Sequence, residues 1–155
     1  MFGQLFWPNI LKRDRFDKIS QYFHVATTVN NPPRGQPGHD KLALIRPVID
    51  SVRAKCLGRY NANVNVSVDE AMVAFRGRLS FKQYLPAKPT KYGIKVWMRA
   101  DPQNGYANDY QIYTGKVAAD RPEVGLGCHV VLDLVEPVFN VNHIVNVDNF
   151  FSSPE

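Results

Sequence analysis

Apolar residues recur at helical spacing near the start of the chain, over residues 9–24. Asn9 can cap this predicted helix, because its side-chain oxygen can accept a hydrogen bond from a backbone N–H of the first turn. The apolar positions are Phe16, Ile19 and Phe23. The next segment, residues 29–40, contains three prolines and two glycines. That composition predicts a loop and excludes a helix or a central strand.

Two later segments also have the helical period. The first runs from Asp40 to about Leu57, and Pro47 is expected to break or kink it near its start. The second covers residues 125–136 and ends at Pro137, although its valines also permit a strand. Two short helices joined by a long loop predict that residues 1–62 form a small helical N-terminal segment.

From residue 63 onward the apolar residues alternate with polar ones, which predicts β-strands. Asp69 and Asp148 are each expected at the end of such a strand. The Asn104-Gly105 pair is typical of a hairpin turn, and residues 115–124 are expected to be a loop. The predicted strands cover residues 64–68, 94–100, 106–114 and 143–148. Together with the helix at 125–136, they predict a mixed α/β (α+β) domain over residues 63–155.

Asp69 and Asp148 can meet at one sheet edge if their two strands are neighbours. Paired carboxylates there can hold two divalent metal ions, which activate a nucleophile and stabilise the leaving oxygen in phosphoryl transfer. Oxygen ligands favour Mg²⁺ or Mn²⁺ over zinc. Spacing alone leaves an alternative open, because an aspartate that follows a strand is commonly a turn former.

The charge of the chain is uneven. Residues 70–100 carry seven basic side chains and one acidic one, whereas residues 101–155 carry two and eight. The basic segment indicates a nucleic-acid partner, and a solvated surface is its alternative. The candidate phosphate contacts are Arg76, Arg78, Lys88, Lys91 and Lys95.

The cysteines, the apolar runs and the aromatic residues exclude fewer classes of function. The two cysteines have no metal-binding spacing and form no disulfide framework. The apolar runs are shorter than the roughly 20 residues of a membrane span, so no membrane association is expected. Tyr92 and Trp97 could stack on a base, but packing in the core is the simpler expectation for both.

Three ordered segments resemble the piggyBac family of DNA transposases. Residues 66–78, VSVDEAMVAFRGR, are similar to its first catalytic motif, and residues 81–95, FKQYLPAKPTKYGIK, resemble the segment that follows it. Residues 146–153, NVDNFFSS, are similar to its second catalytic motif. Residues 13–16 and 41–50 fit the helical region that precedes the core.

The resemblance implies a ribonuclease-H-like core of the transposase and integrase kind, preceded by the small helical segment, which would be part of a dimerisation and DNA-binding region. Such a core uses three aspartates, the DDD motif, with Mg²⁺ or Mn²⁺. It nicks transposon ends and joins a 3′-hydroxyl to target DNA. By position, Asp69 is the first acid and Asp148 the second, and both would be catalytic and metal-binding.

The resemblance also sets expectations about partners and activity. DNA, both transposon ends and target, is the expected partner, with a homodimer in the full-length protein and a location in the nucleus. The chain ends seven residues after Asp148, before a third acid. The core is therefore expected to be truncated and to be inactive by itself. If it does cleave DNA, Glu70 is the residue expected to replace the missing third acid as a metal ligand. The alternative is a domesticated, non-catalytic relative that binds DNA or a protein.

Overall fold

The computed structural model of the chain describes residues 11–115 and 125–152. The chain divides into two compact units, Met1–Ile49 and Asp50–Glu155. Among the described residues, every helix is too short or too polar to cross a membrane. The predicted division of roles at residue 62 stays a prediction.

The first helix, α1, is Arg13–Tyr22. It confirms the helix predicted from the apolar spacing, but it begins after Lys12, and Asn9 lies outside the described residues. The side chains of its predicted apolar stripe are exposed: Phe16, Ile19 and Phe23. The predicted loop over residues 29–40 is confirmed, since it consists of turns and bends without helix or strand.

The second helix, α2, is Arg46–Arg59, so the prediction that it starts at Asp40 is wrong. The physical reason lies in the Asp40 carboxylate, which accepts hydrogen bonds from the backbone N–H of Leu42 at 2.9 Å and from the Arg46 guanidinium at 2.7 and 2.6 Å. These bonds favour tight turns before Arg46 and, chiefly through Arg46, lower the pKa of Asp40. Pro47 then occupies the second helical position, where its missing N–H costs nothing.

A five-stranded sheet forms the centre of the second unit. Its order is β2-β3-β1-β5, and β4 pairs with β3 beside β2. β1 pairs antiparallel with β3 and parallel with β5. The strands are β1 (Asn65–Ala74), β2 (Gln83–Tyr84), β3 (Tyr92–Ala100), β4 (Ala107–Ile112) and β5 (Ile144–Val147).

Strand β1 is longer than the sequence predicts, so Asp69 lies within the strand and not at its end. The strand continues because β3 offers a partner for every residue from Asp69, opposite Met98, to Ala74, opposite Gly93. Asp148, in contrast, directly follows β5, as predicted. The β3–β4 hairpin at Asn104-Gly105 is confirmed, and Gly105 has a φ of 72°, which favours glycine.

The hairpin begins at Asp101, whose side chain is fully buried. Its carboxylate accepts hydrogen bonds from the backbone and side-chain amides of Asn63, the backbone N–H of Gln103 and the Tyr60 hydroxyl. These bonds, led by the Asn63 backbone, lower the pKa of Asp101 to about 2. The carboxylate therefore ties the hairpin to the segment that enters β1.

The third helix, α3, is Leu126–Val135, followed by a 3₁₀ turn over Glu136–Val138. The helix predicted at residues 125–136 is confirmed, whereas the predicted loop at 115–124 lies outside the described residues except for Gly115. The core of the unit joins α3 to the sheet and contains Val68, Trp97, Val130, Leu134, Val135 and Phe151.

This packing settles the role of Trp97. Its side chain is 5% exposed, so its ring cannot stack on a base, whereas Tyr92 is exposed. Arg99, two residues along the same strand, is also buried and donates a hydrogen bond to the Leu134 carbonyl. The face of β3 that carries Trp97 and Arg99, although it is the more polar of the two, is therefore buried under α3.

Candidate functional site

The parallel pairing of β1 with β5 brings the two predicted acids together. The register places Val68 opposite Val147, so the next residues along the two strands are Asp69 and Asp148. Because parallel strands point the same way, both carboxylates emerge at the same place on the sheet. This arrangement is the neighbouring-strand geometry that the sequence predicts.

A third carboxylate joins them. One oxygen each of Asp69, Glu70 and Asp148 lie within 4.8 Å of one another. Asp69 and Asp148 are exposed, and Glu70 is half-buried. Opposite ligands of a Mg²⁺ ion lie about 4 Å apart, given bonds of about 2.1 Å, so the three oxygens have close to the spread that a hard divalent cation requires. The all-carboxylate set also matches the preference of Mg²⁺ and Mn²⁺.

Local hydrogen bonds fix two of these carboxylates. Oδ1 of Asp69 accepts the backbone N–H of Glu70 at 2.7 Å. Oδ1 of Asp148 accepts the backbone N–H of Phe150 at 2.9 Å, and the Asp148 carbonyl accepts that of Phe151 at 3.1 Å. Asp148 is therefore both a turn former and a member of the cluster, so the two interpretations of a strand-terminal aspartate apply together.

The ammonium of Lys88 lies against the cluster. Its Nζ is 3.0 Å from Oε1 of Glu70. The hydrogen bond to Glu70 raises the pKa of Lys88, and the charges of Glu70, Asp69 and Asp148 raise it further. The positive charge of Lys88 is therefore attracted by the negative charges of all three carboxylates.

The other predicted phosphate contacts have different surroundings. Arg76, Arg78 and Lys91 are exposed. Lys95 is half-buried, with its Nζ 5.3 Å from the Trp97 ring centroid and 4.9 Å from that of Phe150. Both contacts are cation–π interactions, which hold Lys95 close to the segment that follows Asp148.

Sequence reasoning gave Glu70 only a substitute role, and it missed the pairing of Glu70 with Lys88. Successive residues of a regular strand point to opposite faces, so alternation alone does not place oxygens of Asp69 and Glu70 within 4.8 Å of each other. The available signal was the pair of prolines, Pro86 and Pro89, that confine the loop around Lys88. Spacing along the chain did not indicate which acid this loop would reach.

The position of Asp148 depends on close packing between α3 and the turn that follows β5. Phe151 is buried in the core, three residues after Asp148. At Gly127, in the first turn of α3, an added Cβ would lie 2.6 Å from the Phe150 carbonyl oxygen and 3.1 Å from the Phe151 Cα. A glycine is therefore required for the helix to approach this turn.

We expect Gly127→Ala to lower the free energy of unfolding by about 2 kcal/mol, because overpacking forces the backbone apart. It should also weaken divalent-metal binding, since the displaced turn carries Asp148. Urea denaturation and metal titration measure the two effects. Gly58→Ala is the matched control, because an added Cβ there meets nothing within 4 Å and helix propensity favours alanine by up to about 1 kcal/mol. Equal stabilities of the two variants would contradict the packing argument.

Comparisons with known proteins bear on this geometry. A family model described as Transposase IS4 matches residues 3–155. The human piggyBac transposable element-derived protein 3 is 33% identical over an alignment of 148 residues, and the match covers 92% of this chain and 24% of that protein. The human piggyBac transposable element-derived protein 2 is 33% identical over 89 residues, or 56% of this chain and 14% of its own length.

One solved structure is also similar. The cryo-EM structure of a piggyBac transposase synaptic complex with hairpin DNA has a TM-score of 0.76 and 29% identity, covering 95% of this chain and 30% of that one. This likeness confirms the predicted α/β, ribonuclease-H-like fold. The chain spans about a quarter of the length of the first of these human relatives.

Proposed function

The chain belongs to the transposase family whose model matches residues 3–155, with piggyBac-derived proteins among its relatives, and from this membership we propose that it supplies part of a metal-dependent site for DNA strand cleavage and strand transfer. The observation that carries the proposal is the position of Asp69 in β1 and of Asp148 directly after the neighbouring parallel strand β5, with Glu70 beside them. A turn-forming role alone would not require a third carboxylate within 4.8 Å.

The residues have distinct roles in this proposal. Asp69 and Asp148 would hold Mg²⁺ or Mn²⁺, and Glu70 would supply a further oxygen. When bound, such an ion would supply Lewis-acid chemistry, which activates an attacking oxygen and stabilises the leaving oxygen of a phosphodiester. Hydrogen bonds from the backbone of Glu70 and Phe150 keep the two aspartates oriented before a metal binds. Correct orientation matters, because a displacement of about 1 Å can reduce the rate on the order of a hundredfold.

The proposed substrate is DNA, both transposon ends and target. The solved structure with the similar fold is described as a complex with hairpin DNA, which supports DNA as the polyanion that the basic residues contact. Arg76, Arg78 and Lys91 are exposed and available for phosphate oxygens. Lys88 pairs with Glu70, and Lys95 lies over the ring of Phe150, two residues after Asp148.

We expect binding to duplex DNA to be nearly independent of sequence and to weaken steeply with salt. Each neutralised phosphate contributes about −0.9 to the slope of log affinity against log salt, so replacing Arg76, Arg78 and Lys91 by Gln together should reduce the slope by about 2.7. Fluorescence anisotropy with a labelled 20-base-pair duplex over a range of salt concentrations measures this slope.

Lys55→Gln is the control for that experiment, because Lys55 is an exposed lysine on α2, outside the basic segment. It should leave the slope almost unchanged. A wild-type affinity that does not vary with salt, or a triple variant that retains the full slope, would refute DNA binding through this surface.

A second function is favoured by one observation. The ion pair between Lys88 and Glu70 already neutralises part of the acidic cluster, so the chain can present a basic DNA-binding surface without a metal. This is the domesticated, non-catalytic alternative. It predicts the same salt dependence but no divalent-metal binding that depends on Asp69 and Asp148.

Two broader features are also proposals. The first is a homodimer of the full-length protein. It is supported by an apolar groove of about 480 Å³ within the Met1–Ile49 unit, lined by Phe23, His24, Val25, Leu44, Ile45, Val48 and Ile49. The second is a nuclear location, which follows from the proposed DNA substrate.

A further inference from the structure

Lys88 has an unusual position for a residue expected to contact phosphate. Its Nζ lies 3.0 Å from Glu70, and the two side chains are only 34% and 16% exposed. Three carboxylates whose ligand oxygens lie within 4.8 Å of one another repel each other. Without a metal, the Lys88 ammonium is the positive charge that offsets this repulsion.

A divalent cation and this ammonium compete for the same carboxylates. Lys88 Nζ lies 3.0 Å from Oε1 of Glu70, and a metal bound by Asp69, Glu70 and Asp148 would draw on that same carboxylate. Two cations only a few ångströms apart also repel. Metal binding would therefore weaken the Lys88–Glu70 pair.

The lysine can leave without disturbing the fold. It is a compact charge on a flexible four-carbon stem, and it sits between Pro86 and Pro89 in the loop that joins β2 to β3. Its backbone N–H donates to the Leu85 carbonyl at 3.2 Å, so the loop is anchored independently of the side chain. Once released, the ammonium remains next to the place where a metal-bound DNA phosphate would lie.

We propose that Lys88 is a built-in counter-cation of the carboxylate cluster, which a divalent metal displaces and which then binds a DNA phosphate. The inference rests on the proposed metal site and deepens it. Lys88 is a positioning residue that couples the two ligands: metal frees Lys88 for DNA, and by thermodynamic reciprocity DNA favours the metal-bound state.

The first test measures Mn²⁺ affinity by isothermal titration for the wild type, Lys88→Met and Lys55→Met. Lys88→Met should bind Mn²⁺ about threefold to fivefold more tightly, the factor that corresponds to the energy of a partly exposed ion pair. Lys55→Met, which removes an exposed charge outside the basic segment, should differ from the wild type by less than about twofold, because a solvent-exposed charge is largely screened. A lysine with a purely structural role would leave Mn²⁺ affinity unchanged or reduced when it is removed.

The second test measures affinity for a 20-base-pair duplex with and without Mn²⁺. Without metal, Lys88→Met should cost less than about twofold, because Lys88 is held by Glu70. With metal it should cost about tenfold, the effect of losing one charge-assisted hydrogen bond. The salt slope should then fall by about 0.9, one phosphate, only when Mn²⁺ is present.

The outcomes separate the two proposals. Mn²⁺ binding to the wild type with an unchanged or weaker affinity in Lys88→Met would overturn the counter-cation role and leave the metal site intact. An equal loss of DNA affinity with and without Mn²⁺ would overturn the coupling. Absence of Mn²⁺ binding in the wild type and in both lysine variants would overturn the metal site itself, and the displacement of Lys88 with it.

Discussion

Replacing Asp109 by asparagine should lower the free energy of unfolding by about 3 kcal/mol, because it leaves a buried arginine without a counter-charge. Asp109 is fully buried and accepts hydrogen bonds from Arg53 at 2.5 and 3.0 Å. Its charge also acts on Arg99, which is 2% exposed and whose Nε has no hydrogen-bond partner among the described residues. Burial lowers the pKa of Arg99, whereas Asp109 raises it.

The size of this effect follows from the burial of each partner. Breaking a fully buried ion pair costs about 3–5 kcal/mol. The Arg53 side chain is 36% exposed and can turn toward water, so its share is small and the lower end of the range applies. Arg99 cannot turn toward water in this way, because its side chain is buried between the sheet and α3.

Urea denaturation followed by circular dichroism measures this loss. Asp133→Asn is the matched control: Asp133 is exposed on α3 and has one long hydrogen bond, 3.3 Å from the Gln111 amide. We expect the control to change stability by less than about 0.5 kcal/mol. A loss below about 1 kcal/mol in Asp109→Asn would mean that Arg99 does not depend on this carboxylate.

Local patterns predicted most of the elements of the second unit. Alternation and the Asn104-Gly105 turn were sufficient for the β3–β4 hairpin, and helical spacing was sufficient for α3, because both patterns reflect which side is buried. The parallel pairing of β1 with β5 could not be read from either strand by itself. The expectation that the two strands are neighbours came from the predicted strand order and from the need to bring both acids to one metal.

The errors came from contacts that local patterns do not contain. The sequence ends the first strand at Asp69, since a carboxylate commonly follows a strand, but cross-strand hydrogen bonding to β3 extends it to Ala74. The helix start moved from Asp40 to Arg46 because Asp40 makes side-chain bonds to that arginine. In both cases a specific partner outweighed local propensity.

The candidate site, too, could be predicted from the sequence only in part. Asp69 and Asp148 were identified by position in their motifs, and the lysines by charge. The pairing of Lys88 with Glu70 depends on how the β2–β3 loop folds back over β1, which a one-dimensional pattern does not specify. Likewise, the burial of Arg99 follows from the position of α3 and not from the alternation along β3.

Replacing either Asp69 or Asp148 by asparagine should remove detectable Mn²⁺ binding. Each substitution removes one of three negative charges and replaces a carboxylate by a neutral amide, which is a weaker metal ligand, while it preserves the size of the side chain. Loss of residues that only support metal ligands already reduces affinity by about 10- to 100-fold, so neutralising a ligand should cost at least about a hundredfold. Three carboxylates form only a weak site. A loss of this size therefore makes the remaining Mn²⁺ affinity too low for isothermal titration to measure.

Isothermal titration of Mn²⁺ into the wild type, Asp69→Asn, Asp148→Asn and the control Asp133→Asn tests the central claim directly. We predict a saturable heat for the wild type and the control, and none for the two site variants. All four proteins should keep the same circular dichroism spectrum, so that the loss reports ligation and not unfolding. Equal heats in the wild type and both site variants would contradict the claim that the acids of β1 and β5 hold a divalent metal.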